Sequence, residues 1–207
     1  MKKTLIVLMM VLLCAMLFVS CSEPKATYCV GDTVNFGTYP ANYAIEDLRG
    51  DAVTWKILSV DTANSRMLVI SDRILETDRQ FDSSSSTSYS SSSIKAYLNG
   101  EFITKYGLSS VDKCNVDVTT KIEETAVGSG SDKVFLLSKA ETENTAYFAN
   151  DTARIASDTS NNNHSWWLRS ATANSSHVYC VTDEGSYDDG GTPTYNGGLR
   201  PAMWVNF

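Results

Sequence analysis

The residues of this chain that could bind a metal ion lie mainly near its C-terminus. Asp183, Glu184, Asp188 and Asp189 stand close together in the sequence, and carboxylate oxygens are the ligands that hard cations prefer. These four acids do not follow the alternating spacing of oxygen ligands that a calcium loop requires. A solvated acidic loop is therefore the favoured interpretation, and we expect neither a metal site nor a cofactor.

The histidines and serines give no better pattern for catalysis. His164 and His177 lie in polar segments and lack the helical spacing of a metal-binding pair. The chain has no G-x-S-x-G, P-loop or G-x-G-x-x-G motif, and the sequence assigns no base to any serine. A glycosidase needs two positioned carboxylates, and the sequence gives no reason to choose two. We therefore predict no catalytic residue.

Binding is better supported, because residues 171–197 are rich in Ser, Thr, Asn, Asp, Tyr and Gly. Tyrosine supplies rigid amphipathic contact area, and Ser, Gly and Asn supply adaptable hydrogen bonds, as in antibody paratopes. The Ser-rich residues 82–93 have the same character and could lie next to this segment. An ordinary solvated loop is the alternative for both. The candidate ligand-binding residues are Tyr89, Asn174, His177, Tyr179, Tyr187, Asp188, Tyr195 and Asn196.

The elements that must position these residues are mostly strands. Alternating apolar residues predict a first strand around Val34 and Phe36, and a hairpin whose arms are residues 53–61 and 66–75. Trp55 is expected in the core. Further strands are predicted at residues 134–137, 165–170, 175–182 and 199–207, with one of Trp166 and Trp167 facing the core and a strand edge at 116–124.

Helices are expected to be few. The apolar residues of SIKAYLNGEF, residues 93–102, fall on one helical face. Ser92 or Ser93 can cap the start of this helix, and Asn99-Gly100 can break it. A second short helix is expected within residues 140–148, a turn at 128–132 and a polar loop at SDTSNNN, residues 157–163. The sequence therefore predicts an α+β fold of mostly antiparallel strands with one or two helices, in a single domain over residues 29–207.

The N-terminus is similar to the leader of a bacterial lipoprotein. After a basic start, residues 4–19 are almost wholly apolar, and Ser20 precedes Cys21, which is the order of a secretory signal peptide. FVSCS resembles a lipobox in the looser form found in spirochaetes and some other bacteria, and this implies cleavage before Cys21 and lipidation of its thiol. We expect a signal peptide over residues 1–20 and a tether over residues 21–28. A plain signal peptide or an uncleaved anchor is the alternative.

The net charge limits the classes of partner that we expect, and the cysteine content limits the possible disulfides. The formal net charge is −7, which becomes −9 when Lys2 and Lys3 are removed, and there is no basic stripe. We therefore expect neither nucleic-acid binding nor a polybasic membrane patch. An exported chain can form disulfides, but Cys29, Cys114 and Cys180 are an odd number, and the sequence does not decide which pair would form.

Six segments carry a resemblance to a family, in this order: VNFGTYP, WKIL, SIKAYLNGEF, KVFLLS, SWWLRS and GLRPAMWV. The series is similar to that of an uncharacterised domain family of bacterial secreted and lipid-anchored proteins, and it covers nearly all of residues 29–207. WWLRS followed by GLRPA is its most specific part. The resemblance implies no particular activity.

The C-terminal segments also resemble C-type-lectin-like domains of the formylglycine-generating-enzyme type. This resemblance implies paired N- and C-terminal strands, with residues 171–197 displayed as a loop region on a fixed scaffold. Only Cys180 lies near the C-terminus, so the cysteine pair of the enzymatic branch is missing. The resemblance also places Arg169 and Arg200 in buried or half-buried ion pairs, and the nearest candidate partners are Asp183, Glu184, Asp188 and Asp189.

These observations together lead us to expect a lipid-anchored protein of the bacterial cell envelope, at the cell surface or facing the periplasm. It would bind a protein or glycan ligand without catalysis. Its partners would be the membrane, through the lipid on Cys21, and this ligand. Two alternatives stay open: a structural or accessory envelope lipoprotein without a ligand, and an enzyme acting on cell-wall glycans.

Overall fold

The computed structural model describes residues 27–114, 116–122, 125–173 and 176–207. The expected signal peptide, Cys21 and most of the tether lie outside the described residues. Within them, mostly antiparallel strands form two curled sheets, accompanied by short helices. This is a mostly-β form of the predicted α+β class. None of the described helices has the length and the hydropathy to span a membrane.

The strands and helices of the described residues are short. The strands are β1 (Thr33–Thr38), β2 (Ala52–Asp61), β3 (Arg66–Ser71), β4 (Glu76–Gln80), β5 (Val116–Ile122), β6 (Thr125–Asp132), β7 (Trp166–Ala171), β8 (Val178–Val181), β9 (Tyr187–Gly191), β10 (Asn196–Leu199) and β11 (Ala202–Asn206). The helices are α1 (Ser93–Leu98), α2 (Glu101–Lys105), α3 (Lys139–Thr142) and α4 (Asp151–Arg154), with 3₁₀ turns at Glu46–Leu48 and Tyr89–Ser91. One sheet has the order β1–β2–β3–β11. The other has the order β4–β10–β7–β5–β6, with β8 paired to β7 and β9 paired to β8.

The predicted hairpin is confirmed by β2 and β3, which pair antiparallel around a turn at residues 62–65. Trp55 is fully buried, as predicted, and its ring stacks on Phe36 with the centroids 5.2 Å apart. The second arm is shorter than predicted, because β3 ends at Ser71 and the chain then enters the other sheet. The pairing of β4 with β10 decides this end, and Asp72 and Arg73 interrupt the apolar run there.

Two segments of the chain pass from one sheet to the other, and each bonds to the strand end that flanks the other. One is residues 72–75, between β3 and β4, and the other lies between β10 and β11. The Ser71 amide donates to the Pro201 carbonyl over 2.9 Å, and the Leu75 amide donates to the Leu199 carbonyl over 2.9 Å. The β3–β11 and β4–β10 ladders therefore continue into one another and tie the two sheets together at this corner.

The predicted helix and its break are confirmed. Asn99 and Gly100 separate α1 from α2, and the apolar face of both helices is buried. The Ser92 hydroxyl caps α1 by accepting a hydrogen bond from the Lys95 amide. The second predicted helix is α3, which ends at Thr142 and is therefore shorter than the expected range of residues 140–148.

Two other local predictions are wrong. The expected turn at residues 128–132 is the end of β6, because pairing with β5 overrides its glycine-rich composition. The expected strand at residues 134–137 forms an isolated bridge from Phe135 to Ala202 instead of a strand. The polar loop expected at residues 157–163 is confirmed, because these residues form turns and an isolated bridge from Ser157 to Asn163, and α4 precedes them.

The first and last strands do not pair with each other in the described residues. β1 pairs with β2, and β11 pairs with β3, so they lie on opposite sides of the β2–β3 hairpin. This arrangement differs from the strand pairing that the C-type-lectin-like resemblance implies.

Residues 171–197 are not a free loop, in contrast to the expectation. β8 and β9 form a hairpin that extends the second sheet from β7, and β10 returns along β4. The turn between β8 and β9 requires Gly185, whose φ is +86°. A Cβ there would also lie 1.9 Å from the Asp151 carbonyl oxygen. The segment is therefore part of the sheet.

β7 is buried on both faces, which is typical of a strand inside a sheet. Both tryptophans of its WW pair are therefore buried, whereas the sequence indicated one of them. Each indole N–H finds a backbone acceptor, as buried tryptophans require. Trp166 Nε1 donates to the Arg154 carbonyl over 3.2 Å, and Trp167 Nε1 donates to the Arg79 carbonyl over 2.8 Å.

Candidate functional site

Arg169, in the WWLRS motif, has a structural role. The prediction of its ion-pair partner is wrong. Its ion-pair partner is Glu141, which it contacts through Nη1 at 2.6 Å and Nη2 at 2.9 Å. Nη1 also donates to the Leu136 carbonyl over 2.6 Å. Glu141 completes the capping box of α3 with Ser138, so this pair fixes α3 on β7. The acids predicted as partners, Asp183, Glu184, Asp188 and Asp189, are exposed.

Arg200, in the GLRPA motif, is buried without an ion pair in the described part of the chain. Its guanidinium donates to the Ser71 carbonyl over 3.1 Å and to the Arg154 carbonyl over 3.4 Å. It also lies 5.0 Å from the centroid of the Trp166 ring. Burial lowers the pKa of Arg200 to about 10, although Asp72 acts in the opposite direction. The predicted ion pair is therefore wrong, and Arg200 instead holds the corner between the sheets.

Three of the predicted binding residues meet in a small groove. Asp188, Tyr195 and Asn196 line an open space of about 150 Å³ beside Trp167, and all three are exposed. Tyr195 is 70% exposed; among the large hydrophobic side chains of residues 27–114, 131–173 and 176–207, only Tyr195 and Val30 are exposed. An exposed aromatic beside polar groups in a concave surface is typical of a binding site.

The floor of the small groove is fixed, because two glycines pack directly on Trp167. A Cβ at Gly191 would lie 2.8 Å from the Trp167 ring, and a Cβ at Gly197 would lie 2.6 Å from the indole nitrogen. Neither position accepts a side chain without displacing the indole. Trp167 is itself almost fully buried, so it supports the groove and leaves Tyr195 as the exposed ring.

Three other predicted residues do not line the small groove. Tyr179 and Tyr187 lie beside Lys139, whose Nζ is 5.5 and 4.8 Å from their ring centroids. The Tyr187 hydroxyl also bonds to the Thr142 hydroxyl over 3.1 Å, and burial is the largest cause of its raised pKa. His177 is half-buried just before β8. These residues therefore belong to a separate part of the surface.

The last predicted residues fall elsewhere again. Tyr89 is 1% exposed, because the chain folds it under the Ser-rich segment, so its side chain cannot contact a ligand at the surface. Asn174 lies outside the described residues. The Ser-rich segment does lie next to residues 171–197, as the sequence indicated, since the Asp82 amide donates to the Pro193 carbonyl over 3.0 Å.

A larger groove, which the sequence did not indicate, lies at the start of β4. Its volume is about 490 Å³, which is in the usual range of ligand sites. Its walls come from the segment after β1, from β4, from the end of α2 and from the loop after α4. The polar and charged residues among them include Asn42, Glu76, Asp78, Arg79, Lys105 and Asp158.

Glu76 is the centre of the large groove, and its carboxylate is almost fully buried at 9% exposure. Its Oε1 accepts hydrogen bonds from the Tyr97 hydroxyl at 2.5 Å, the Lys105 amine at 2.9 Å and the Tyr106 hydroxyl at 3.3 Å. Its Oε2 accepts from Arg79 Nε at 2.9 Å and Nη2 at 2.5 Å. Both carboxylate oxygens are therefore saturated by charged or phenolic donors.

These contacts shift the pKa values of Glu76, Tyr97 and Tyr106. Burial alone would raise the pKa of Glu76, but the hydrogen bonds from Tyr97, Lys105 and Arg79 outweigh it and hold this pKa below its ordinary value. Burial, and then the charge of Glu76, raise the pKa of Tyr97 and Tyr106. An ionised carboxylate with a low pKa is a poor proton acceptor. The network therefore fixes the positions of Arg79 and Lys105 more than it offers acid–base chemistry.

A third groove, of about 200 Å³, adjoins the other two. It shares Asp78 and Arg79 with the large groove and Asn196 with the small groove. β4 and β10 run side by side here, with Asn196 opposite Gln80. We call the three adjoining spaces the β4–β10 groove. It runs from Tyr195 through Asp78 and Arg79 to Lys105.

Among the described residues, this groove has neither a reactive cysteine nor a metal-binding cluster. Cys29, Cys114 and Cys180 are free thiols, so no two of them form a disulfide. Burial raises the pKa of the Cys180 thiol, which favours the unreactive form. Across the described ranges, no group of three or more His, Cys, Asp or Glu is arranged to hold a metal ion.

The sequence missed the Glu76 network because its members are far apart along the chain. Tyr97 and Lys105 lie 21 and 29 residues from Glu76, and the β3–β4 corner brings them together. One local signal was present: Glu76 follows the apolar Ile74-Leu75 directly, and a carboxylate next to a buried run needs partners.

Comparison with known proteins bears on the C-terminal motifs. No curated protein and no solved structure matches the chain. A family described as "Domain of unknown function (DUF6273)" matches residues 64–207. The match starts in the β2–β3 turn, so β1 and β2 lie outside it although they complete the first sheet. It includes WWLRS, GLRPA and the whole β4–β10 groove except the segment after β1. Because this match covers more than half of the sequence, the chain belongs to the DUF6273 family.

Proposed function

We propose that this protein binds a protein or glycan ligand without catalysis, through the part of the β4–β10 groove around Tyr195. The observation that carries the proposal is the exposed Tyr195 ring, 70% accessible beside Asp188 and Asn196. Aromatic side chains dominate binding hot spots. An exposed ring on a rigid floor, with polar groups beside it, is what ligand recognition requires.

The absence of catalysis in this proposal is supported by the chemistry of Glu76. It is the most deeply buried carboxylate of the groove, and five donor contacts from four side chains occupy it. A general acid or base needs a pKa near the working pH, whereas the pKa of Glu76 is held low.

The cellular place of this function is part of the proposal. The FVSCS sequence at residues 18–22 supports export, cleavage and lipidation at Cys21, which would anchor the protein in the bacterial envelope. The net charge of −7 supports partners other than nucleic acid. The finer description of the scaffold as C-type-lectin-like stays a prediction. The pairing of β1 and β11 that it implies is not formed in the described residues, and the proposed binding does not depend on it.

A binding screen tests the proposal. The full chain, purified in detergent, would be applied to arrayed glycans and to envelope and host proteins, with and without calcium. We expect a signal that Tyr195→Ala removes. Val30→Ala is the matched control, because Val30 is the other exposed large hydrophobic residue and does not line the groove.

Two results would contradict the proposal. One is a chain that binds nothing on any array, which favours a structural envelope protein. The other is a signal that Tyr195→Ala leaves unchanged while Val30→Ala removes it. Turnover of cell-wall fragments by the wild-type chain would contradict the non-catalytic part alone.

A further inference from the structure

We infer that the ligand is a neutral oligosaccharide that lies along the whole β4–β10 groove, with one sugar ring against Tyr195 and the rest extending past Asp78 towards Lys105. This inference rests on the proposed function and narrows it from a protein or glycan to an extended glycan chain. It also adds the large groove, which no predicted residue lines, as a second part of the same site.

The β4–β10 groove is continuous along its length. The three spaces adjoin through shared wall residues, Asn196 on one side and Asp78 with Arg79 on the other. Together they are elongated and open, because they follow two paired strands. A compact metabolite would fill one of these spaces, whereas a chain molecule can occupy all three.

The polar groups that line the groove suit sugar hydroxyls. A sugar hydroxyl both donates and accepts, so its site must offer both functions. Asn42 and Asp78 are exposed and supply amide and carboxylate groups. Arg79 and Lys105 are 32% and 28% exposed and carry more N–H groups than their contacts with Glu76 and Tyr97 use. The Glu76 network holds both cations in fixed positions, which lowers the entropy cost of binding.

The charges of the large groove favour a neutral ligand. Its cations, Arg79 and Lys105, lie in its walls together with the carboxylates of Glu76, Asp78 and Asp158. There is thus no excess of positive charge to attract an acidic polymer. A neutral glycan fits this balance.

The surface of the groove suits a glycan better than a protein partner. Protein interfaces have an apolar core, but the groove has Tyr195 as its exposed large hydrophobic side chain. One amphipathic ring suffices to pack against the C–H face of a sugar. The groove around it is polar, as a polyhydroxyl ligand requires.

Calorimetric titration tests the inference with a defined panel. The probes are neutral oligosaccharides of glucose, mannose, galactose, xylose and N-acetylglucosamine, from disaccharide to hexasaccharide, and the protein is the full chain in detergent. We expect the affinity for at least one series to rise with chain length. Asp78→Ala should weaken hexasaccharide binding about tenfold, since it removes a charged acceptor, and should leave disaccharide binding unchanged.

Two further variants keep the test decisive. Asn42→Ala alters an exposed residue at the far end of the groove and should also reduce the gain with length. Asp183→Ala is the control, because Asp183 is equally exposed but lines none of the three spaces. Each variant is compared with the wild type by thermal unfolding, and Asn42→Ala carries the test if Asp78→Ala does not fold.

The outcomes separate this inference from the proposed function. A protein ligand whose binding Tyr195→Ala removes, with no oligosaccharide bound, overturns the inference and leaves the proposed function standing. The claim that the glycan lies along the whole groove is overturned if glycan affinity does not depend on chain length. It is also overturned if neither Asp78→Ala nor Asn42→Ala changes glycan binding. If the wild-type chain binds no ligand at all, both the inference and the proposed function are contradicted.

Discussion

The two ends of the β4–β10 groove differ in what occupies their side chains. At one end, Glu76, Arg79, Lys105, Tyr97 and Tyr106 bond to each other. At the other end, Tyr195, Asp188 and Asn196 are exposed, and the contacts that fix the floor are made by Trp167 and glycines.

This difference separates stability from recognition. A side chain whose polar atoms are all bonded internally stabilises the fold, and its removal leaves partners unsatisfied in a buried place. A side chain with exposed atoms costs the fold little when it is removed. We therefore expect substitution of the internally bonded Glu76 to change unfolding, and substitution of exposed groove residues such as Tyr195 and Asp78 to change binding.

The largest expected effect is that of Glu76→Gln. The substitution leaves Arg79 and Lys105 without their buried anion, so we expect the free energy of unfolding to fall by about 3 kcal/mol, measured by denaturant titration. The matched control is Glu143→Gln, which removes an exposed ion pair with Lys139 and should change stability by less than about 1 kcal/mol. Equal effects of the two substitutions would break the comparison.

A second test uses pH. The folded-state pKa of Glu76 lies below its ordinary value of 4.5, so the unfolded state binds more protons in this range. The stabilisation by the ionised carboxylate is thus complete above the ordinary pKa and is lost as the pH falls through the lower, folded-state pKa. We expect the stability difference between wild type and Glu76→Gln to shrink on acidification below pH 4.5. A difference that stays constant would show that Glu76 is not the group responsible.

The next effect belongs to the floor of the small groove. In Gly197→Ala the new Cβ would meet the Trp167 indole at 2.6 Å, so we expect a loss of about 1–3 kcal/mol in unfolding free energy together with a loss of ligand binding. Intrinsic tryptophan fluorescence would report the displaced ring. An unchanged spectrum with unchanged binding would mean that this floor does not shape the site.

The smallest expected change in stability is that of Tyr195→Ala. Because the ring is exposed, the free energy of unfolding should stay within about 0.5 kcal/mol of wild type, while binding is lost. Thermal unfolding and the binding screen on the same sample check both. A large loss of stability would place Tyr195 among the structural residues and break the comparison at this end.

The features that the sequence predicted depend on neighbouring residues. The β2–β3 hairpin follows from two alternating runs and one turn, and the Ser92 cap and the Asn99-Gly100 break act within a few residues. Asp188, Tyr195 and Asn196 were also found from one segment, and they converge because the β8–β9 hairpin and β10 return the chain to the same place.

The features that the sequence missed depend on distant partners. Arg169 reaches Glu141, which is 28 residues away, while the nearer acids that seemed suitable by spacing are exposed. Arg200 uses the carbonyl of Ser71, which is 129 residues away. Tyr89 belongs to a segment whose composition is typical of a binding loop, but its side chain lies in the core. Composition does not distinguish these cases, because strand pairing decides which side chains are buried.

The most direct test of the account is an NMR titration of the isotopically labelled full chain in detergent with the tightest-binding oligosaccharide of the panel. We expect the shifted amides to cluster along β4 and β10, at Asp78, Asn196 and Gly197. An apolar groove of about 360 Å³, lined by Phe36 and Val205 among others, should stay unchanged. Shifts confined to that apolar groove would contradict the assignment of ligand binding to the β4–β10 groove.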